Sequence, residues 1–524
     1  MFLLPATLMG IRLRRFTSFL PLTVVLMGLA WPSAPAAEPE LFHYHHDDVL
    51  GTSFDLQVRA PADAQAALAE STALAEIERL RKILSTYDPE SEISQFNKST
   101  GAMKVSPELL DVLGFYDFWN AKSGGAYNGH LGELIGAWKA AEKSGVLPSP
   151  VILQSIARAA AQPGWKIDRA TGMATRLPGG PIVIDSLGKG YIIARAAAAV
   201  RAKVPTVQGF LLNIGGDIFA SGLPATGTPW LVGVADPKHS ADNAAPLTQV
   251  RITDRAISTS AAYERGYTVA GRRYSHIFDA RTGMPAGGVA SATVIAPNSA
   301  NSNALATTLC VLKPEEGLAL VRQIPDVECL IIAADGRELR SPRFASYEVR
   351  PAAPAGPATP APTGTPAATN ALWPPGFGVT IAISLKKPGP GGKGPPKRPY
   401  VAVWVEDENA QRVRTVTVWG NQRKYLPDLP NWWKVAQQDQ EWAQSVTRAT
   451  RPAGKYTIAW DGLDDKGKPL PPGTYTVFLE VSREHGAKTM DKGTIVCAKT
   501  PAKGSIPGTS EFDDAEISFG PGSK

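Results

Sequence analysis

Hydrophobic and polar positions follow two rhythms along the chain. Between residues 38 and 350, "ADAQAALAESTALAEIERLRKIL" (62–84) repeats its apolar positions at helical spacing, and "SPELLDVLGFYDFW" (106–119) opens a second helix with a serine cap and a first-turn proline. Short apolar runs between such stretches read as strands: "PIVID" (181–185), "GFLLNIG" (209–215), "WLVGVA" (230–235) and "ASATVIA" (290–296). The mixture predicts an α/β domain over 38–350. Next comes "PAAPAGPATPAPTGTPAATN", which has almost nothing to bury, so 351–371 is expected to be an extended linker. Beyond it the rhythm is strand-like: "FGVTIAISL", "RPYVAVWVED", "VRTVTVW", "KYTIAWDG" and "GTYTVFLEVSRE" are separated by Gly, Pro and Asp turns. These predict a small β-sandwich over 372–524, with the basic "KKPGPGGKGPPKRP" as a hairpin loop between its first two strands.

A length of 524 residues agrees with more than one core. The net charge of +6 is small for that length and, outside the basic loop, scattered, which excludes nucleic acid as a partner. Arginines 12, 14 and 15 precede the apolar "FLPLTVVLMGLAW", and small residues follow around Ala36. Residues 1–37 therefore read as an export signal to the periplasm; the alternative, an uncleaved membrane anchor, is disfavoured by the shortness of the run. Three cysteines form no scaffold: either Cys310 and Cys329 are bridged in an oxidising compartment, or all three are buried free thiols. Seven of the twelve tryptophans lie beyond residue 370, as core or as an aromatic docking surface.

Three clusters carry chemistry. "DSLGKGY" (185–191) and "NIGGDIFASG" (213–222) each follow an apolar run, and the first leads into a helix. Glycines there permit close backbone approach, and Lys189 near a helix start suits phosphate oxygens, although neither run is a Walker or dinucleotide fingerprint. The third cluster gathers Ser260, Tyr263, Arg265, His276, Asp279, Arg281 and Thr282, with His276 a candidate general base or a structural histidine.

In order along residues 45–345, "LGTSFDLQV", "STYDPESEISQFN", "SGGAYN", "LGKGY", "NIGGDIFASG", "WLVGVADP", "AISTSAAYERGY", "RYSHIFDARTG" and "NALATT" together resemble the FAD:protein FMN transferases, the ApbE family. The resemblance implies an exported protein with an α+β fold of ApbE type, here followed by an all-β immunoglobulin-like sandwich. It also implies an enzyme that uses Mg²⁺ to move FMN from FAD onto a threonine of an acceptor flavoprotein, releasing AMP; some members instead hydrolyse FAD. The implied FAD site comprises Thr86, Tyr87, Lys189, Gly190, Gly215, Gly216, Asp217, Ser260, Arg265, His276, Asp279 and Thr282, with His276 and Lys189 catalytic. The implied metal ligands are position 303, Thr307 and the Ser186 carbonyl.

Against the family pattern, the metal-binding aspartate is Asn303, two small residues are Asp185 and Ser186, and a phenylalanine-aspartate pair is Tyr127 and Asn128. Ala261 and Ala194 replace a glycine and an acid. An amide can ligate Mg²⁺ but adds no charge. Two readings of Asp185 follow: it restores charge to the metal site, or it caps the following helix. A second class of function, a flavin-binding or electron-carrying module without transfer, is kept for the same reason. The C-terminal region resembles a periplasmic domain of unknown function found with flavin transferases, and "WDGLDDKGKPLPPGTYTV" resembles a sandwich repeat of flagellar hook-cap proteins. A recruiting module is expected. Asp461, Asp464 and Asp465 suit turns better than calcium. "DRATGMAT" (168–175) is close to the family's acceptor motif, with one residue too many, and is expected to be a hairpin.

Overall fold

The computed structural model describes residues 38–238, 246–262, 265–349, 373–387, 398–420, 423–438, 443, 446–448, 450–483 and 487–521. The export signal, the 351–371 linker, Tyr263 and most of the basic loop lie outside them.

The first sheet has eight antiparallel strands whose neighbours follow chain order: β1 (Glu40–Val49), β2 (Thr52–Ala60), β3 (Gly209–Ile214), β4 (Asp217–Gly222), β5 (Arg255–Ala261), β6 (Val289–Ala296), β7 (Glu328–Ala333) and β8 (Glu338–Arg340). Successive side chains leave a strand on opposite faces, and here both faces are covered. Phe54, Leu56, Phe210, Leu212, Val294 and Ile331 share one core with helices α1 (Asp63–Leu84), α2 (Asp185–Lys203) and α3 (Ser299–Val311). On the other face Leu211, Ile257, Ile295 and Leu330 pack with the hairpin Trp230–Val234/Thr248–Ile252. This two-sided burial explains why "GFLLNI" is a nearly unbroken apolar run.

"PIVID" is not a strand. Its backbone finds other partners: Ile182 N donates to Asn97 Oδ1 at 2.8 Å, Asn97 Nδ2 returns a bond to Ile182 O at 2.9 Å, and Val183 N donates to Gly129 O at 2.8 Å. With those groups satisfied off the sheet, the chain enters α2 directly. "DRATGMAT" is the expected hairpin, Trp165–Asp168 against Met173–Arg176, turned at Gly172 with φ 73°.

The C-terminal region is β-rich: a four-stranded and a five-stranded sheet enclose a core that includes Ile381, Val403, Trp419, Trp460, Val477 and Ile517. Its first two strands, Phe377–Leu385 and Tyr400–Glu406, fall in different sheets, so the basic segment joins sheets instead of closing a hairpin. The segment holding Trp432 covers the outer face of the five-stranded sheet, and Trp404, Trp419, Trp432 and Trp460 are buried, which favours core over docking surface. Asp461 Oδ1 accepts from Leu463 N and Asp464 Oδ1 from Lys466 N and Lys468 N, as turn chemistry predicts, while Asp465 Oδ1 accepts from Thr415 N on a neighbouring strand. Contacts that join this region to β1 include Arg398 Nη2 to Asp48 Oδ1 at 2.7 Å and Thr450 Oγ1 with His45 Nε2 at 3.5 Å.

All three cysteines are free and buried, and burial pushes each thiol up to about 12. The bridged reading is set aside. No helix among the described residues is long and apolar enough to cross a membrane.

Candidate active site

The site forms where α2 passes α3. A Cβ on Gly190 would lie 2.5 Å from Ser299 O and 2.6 Å from Asn303 Cβ, so only glycine permits this approach. The approach brings two side chains to one buried carboxylate. Lys189 Nζ is 2.8 Å from Asp217 Oδ2, and Asn303 Nδ2 donates to Asp217 Oδ1 at 3.0 Å. Asp217 opens β4 directly after Gly215 and Gly216, whose φ values of 58° and 91° make the tight turn. A Cβ on Gly215 would strike Thr52 Oγ1 at 2.5 Å.

The carboxylate also orients the amide. Ionised Asp217 only accepts, so Asn303 must face it with its nitrogen, and Oδ1 is turned elsewhere. That oxygen is buried without a hydrogen-bond partner among the described residues. One turn later Thr307 Oγ1 lies 3.2 Å from Ser260 Oγ and bonds back to Asn303 O. An orphaned acceptor of this kind marks a place where a further group belongs.

A second wall is the hairpin Gly266–Val269/Arg272–Ser275 and the turn after it. His276 Nδ1 lies 3.1 Å from Arg265 O, and because a carbonyl only accepts, the proton sits on Nδ1 and Nε2 carries the lone pair. Burial holds the His276 pKa below its usual value, and the charges of Arg265, Arg273 and Lys189 add to the depression. Asp279 and Thr282, expected at the flavin, are engaged in the turn itself: Asp279 pairs with Arg281 at 2.8 Å, and Thr282 Oγ1 accepts from Met284 N.

On the third wall Asp185 accepts two hydroxyls, Thr86 Oγ1 at 2.9 Å and Tyr87 OH at 2.8 Å. It does not cap α2: the cap position is Ile184, with no side-chain hydrogen bond. Ser186 Oγ turns into a buried cluster, 2.9 Å from Tyr116 OH and 3.1 Å from Tyr127 OH, whose rings stack at 4.9 Å. Burial raises both phenols, so they remain protonated. Sequence reasoning missed this cluster and the partners of Asp185, since nothing in the spacing joins residue 86 to 185 or 127 to 186.

The profile of the ApbE family matches residues 50–331. The chain belongs to the ApbE family. Among curated relatives, the FAD:protein FMN transferase of Treponema pallidum is 30% identical over 309 residues, covering 55% of this chain and 84% of the relative. That of Klebsiella pneumoniae is 26% identical over 338 residues, covering 62% and 95%. The ApbE protein of Thermotoga maritima superposes with a TM-score of 0.53 at 24% identity, over 59% of this chain and all of that one. The flavin transferase ApbE of Vibrio cholerae gives 0.51 at 24%, over 59% and 99%; at these identities the two structures establish the fold. Residues 392–514 match a second family, described as a predicted periplasmic protein (DUF2271).

Within the ApbE domain several departures from the family pattern find hydrogen-bond partners, while Asn303 is satisfied only through its nitrogen. The added hydroxyls of Ser186 and Tyr127 bond each other, and Asn128 bridges locally, Nδ2 to Ala160 O and Oδ1 from His130 N. Asn303 keeps a donor on Asp217, where a carboxylate would stand against another carboxylate.

Proposed function

We propose that this chain is an exported FAD:protein FMN transferase, moving FMN from FAD onto a threonine of a periplasmic or membrane-associated redox protein with Mg²⁺ and releasing AMP. The reading rests on family membership and on one observation: a buried, unpartnered Asn303 Oδ1 next to the Lys189–Asp217 pair, in a site whose His276 is held neutral. The relatives named above are FAD:protein FMN transferases. The oxygen donors suit a hard cation, which Asn303 Oδ1 and Thr307 Oγ1 would hold with the Ser186 carbonyl. When bound, Mg²⁺ neutralises charge on the diphosphate.

The chain's own groups do the rest. Lys189 offsets charge developing on the phosphoryl oxygens. The acceptor Thr Oγ attacks the FMN phosphorus, the bond to the AMP oxygen breaks, and His276 Nε2 takes the hydroxyl proton before passing it to solvent. The proposed domains are 38–350 for transfer and an immunoglobulin-like module over 372–524 that recruits the acceptor, joined by 351–371; a tethered recruiter raises the acceptor's effective concentration. A periplasmic location accords with the description of the second matched family.

Incubating the mature chain with FAD, Mg²⁺ and an envelope extract of the source cells is expected to give AMP and an in-gel fluorescent flavin band on a protein. AMP without the band would mean FAD hydrolysis, and FAD returned intact would leave the flavin-binding module. Because His276 acts unprotonated and its pKa is depressed, turnover should rise with pH along a limb whose midpoint lies below 6.5, and His276→Gln should remove that limb. A midpoint above 6.5 would rule His276 out as the base.

A further inference from the structure

Tyr87 is 82% exposed, which is unusual for a large ring whose hydroxyl is fixed in a short bond. The ring stands on the Ser85–Ser91 loop between two helical segments, where an unanchored aromatic would sample several rotamers. Here the loop is held from outside: both oxygens of Asp185, the first residue of α2, are bonded by the neighbouring hydroxyls of Thr86 and Tyr87. Bidentate use of one carboxylate by adjacent residues fixes the loop and the ring's tilt together. The charge of Arg265, whose carbonyl holds His276, is felt at the Tyr87 hydroxyl. Partial burial of its hydroxyl end, together with Asp185, raises the Tyr87 pKa to about 12, so the donor persists at every working pH.

We propose that Asp185 is a positioning residue for the dinucleotide, stapling the Thr86–Tyr87 lip to α2 so that the Tyr87 ring is presented, already ordered, to a planar heteroaromatic ring of FAD. The inference rests on the FAD reading above. Asp185 touches no reacting atom; it acts through Tyr87. Ordering a side chain in advance removes a cost otherwise met on binding, about two- to tenfold in affinity per side chain, and Asp185 holds two.

Asp185→Ala is expected to weaken FAD binding about five- to twentyfold by calorimetry, with the loss falling on KM and not on kcat. Tyr87→Phe, which keeps the ring and removes the hydroxyl, should reproduce part of that loss. The double variant should be no weaker than Asp185→Ala alone, because the two changes cut one connection. Asp185→Asn, which retains an acceptor oxygen, should recover part of the affinity. Titrations with FMN and with ADP tell which half of the dinucleotide meets the ring, since only that half should bind the Asp185→Ala variant less tightly than wild type. If wild type binds FAD while Asp185→Ala and Tyr87→Phe bind it equally well, or if their losses add in full, the staple is wrong and the FAD reading stands. If wild type binds no FAD, both fall.

Discussion

An Asn303→Asp variant should bind free Mn²⁺ or Mg²⁺ at least tenfold more tightly than the wild-type chain, and should be less stable than wild type when metal is withheld. Both oxygens of Asp217 are engaged, one by Lys189 and one by the Asn303 amide, so the local charge sums to zero. Among the described residues no group of three or more His, Cys, Asp and Glu side chains is placed to hold a metal ion. A cation held by Asn303 Oδ1 and Thr307 Oγ1 would meet neutral donors, and hard cations bind such donors weakly. A carboxylate at 303 supplies the missing charge. It also removes a donor to a buried carboxylate and places a like charge at hydrogen-bond distance, a cost of about 2–3 kcal/mol, or roughly 3–5 °C in melting temperature for a domain of this size. Added metal should restore that loss, because it binds only the folded form. Melting in chelator and in Mg²⁺, with electron paramagnetic resonance of bound Mn²⁺, measures both effects. Equal metal affinity in the two proteins would show that charge at 303 does not govern the site.

Gly190→Ala should destabilise the fold by about 1–3 kcal/mol and reduce turnover about a hundredfold. Within a helix this substitution ordinarily gains up to about 1 kcal/mol. Here the new methyl meets backbone, Ser299 O at 2.5 Å, and Asn303 Cβ at 2.6 Å, so the two helices must separate. Separation by about 1 Å pulls Lys189 and Asn303 away from their common carboxylate, enough to cost two orders of magnitude in rate. Gly188→Ala is the control: it lies in the same helix, a Cβ there meets nothing within 4 Å, and its melting temperature should be unchanged or higher. Equal melting temperatures for the 190 variant and wild type would mean that the helix crossing yields without strain.

Helices and strands were legible where their apolar spacing is local and unbroken, but in the first sheet this reached only β3 and β6; β1, β2, β4, β5, β7 and β8 went unread. The 62–84 pattern is helical from Asp63 to Leu84, and "GFLLNIG", "WLVGVA" and "ASATVIA" are strands. "PIVID" was misread because periodicity cannot see that Asn97, far away in sequence, satisfies its backbone. The strands after Ser482 were passed over: Lys488–Cys497 alternates burial, yet it carries charges and a glycine that blur the pattern. At the site, the family resemblance foretold the company of Lys189, Asp217, Asn303 and Thr307. They did not foretell that Asp185 would hold hydroxyls or that Ser186 would face Tyr127, because those bonds depend on which segments α2 meets.

The strand order also bears on how the chain acquires its structure. Turns such as Ile214 to Asp217 close over a few residues, and hairpins of that kind form within microseconds. The bonds that define the site span far more chain, 86 residues from Asp217 to Asn303 and 99 from Thr86 to Asp185, and each must first overcome the entropy of closing a long loop. Sheet hairpins therefore precede the site in folding, and the constellation around Asp217 is completed only when the chain has docked α3. Read in reverse, detaching that one helix disables the site while the hairpins β3–β4 and β7–β8 keep their local pairing, so inactivation by heat should run ahead of the loss of strand signal.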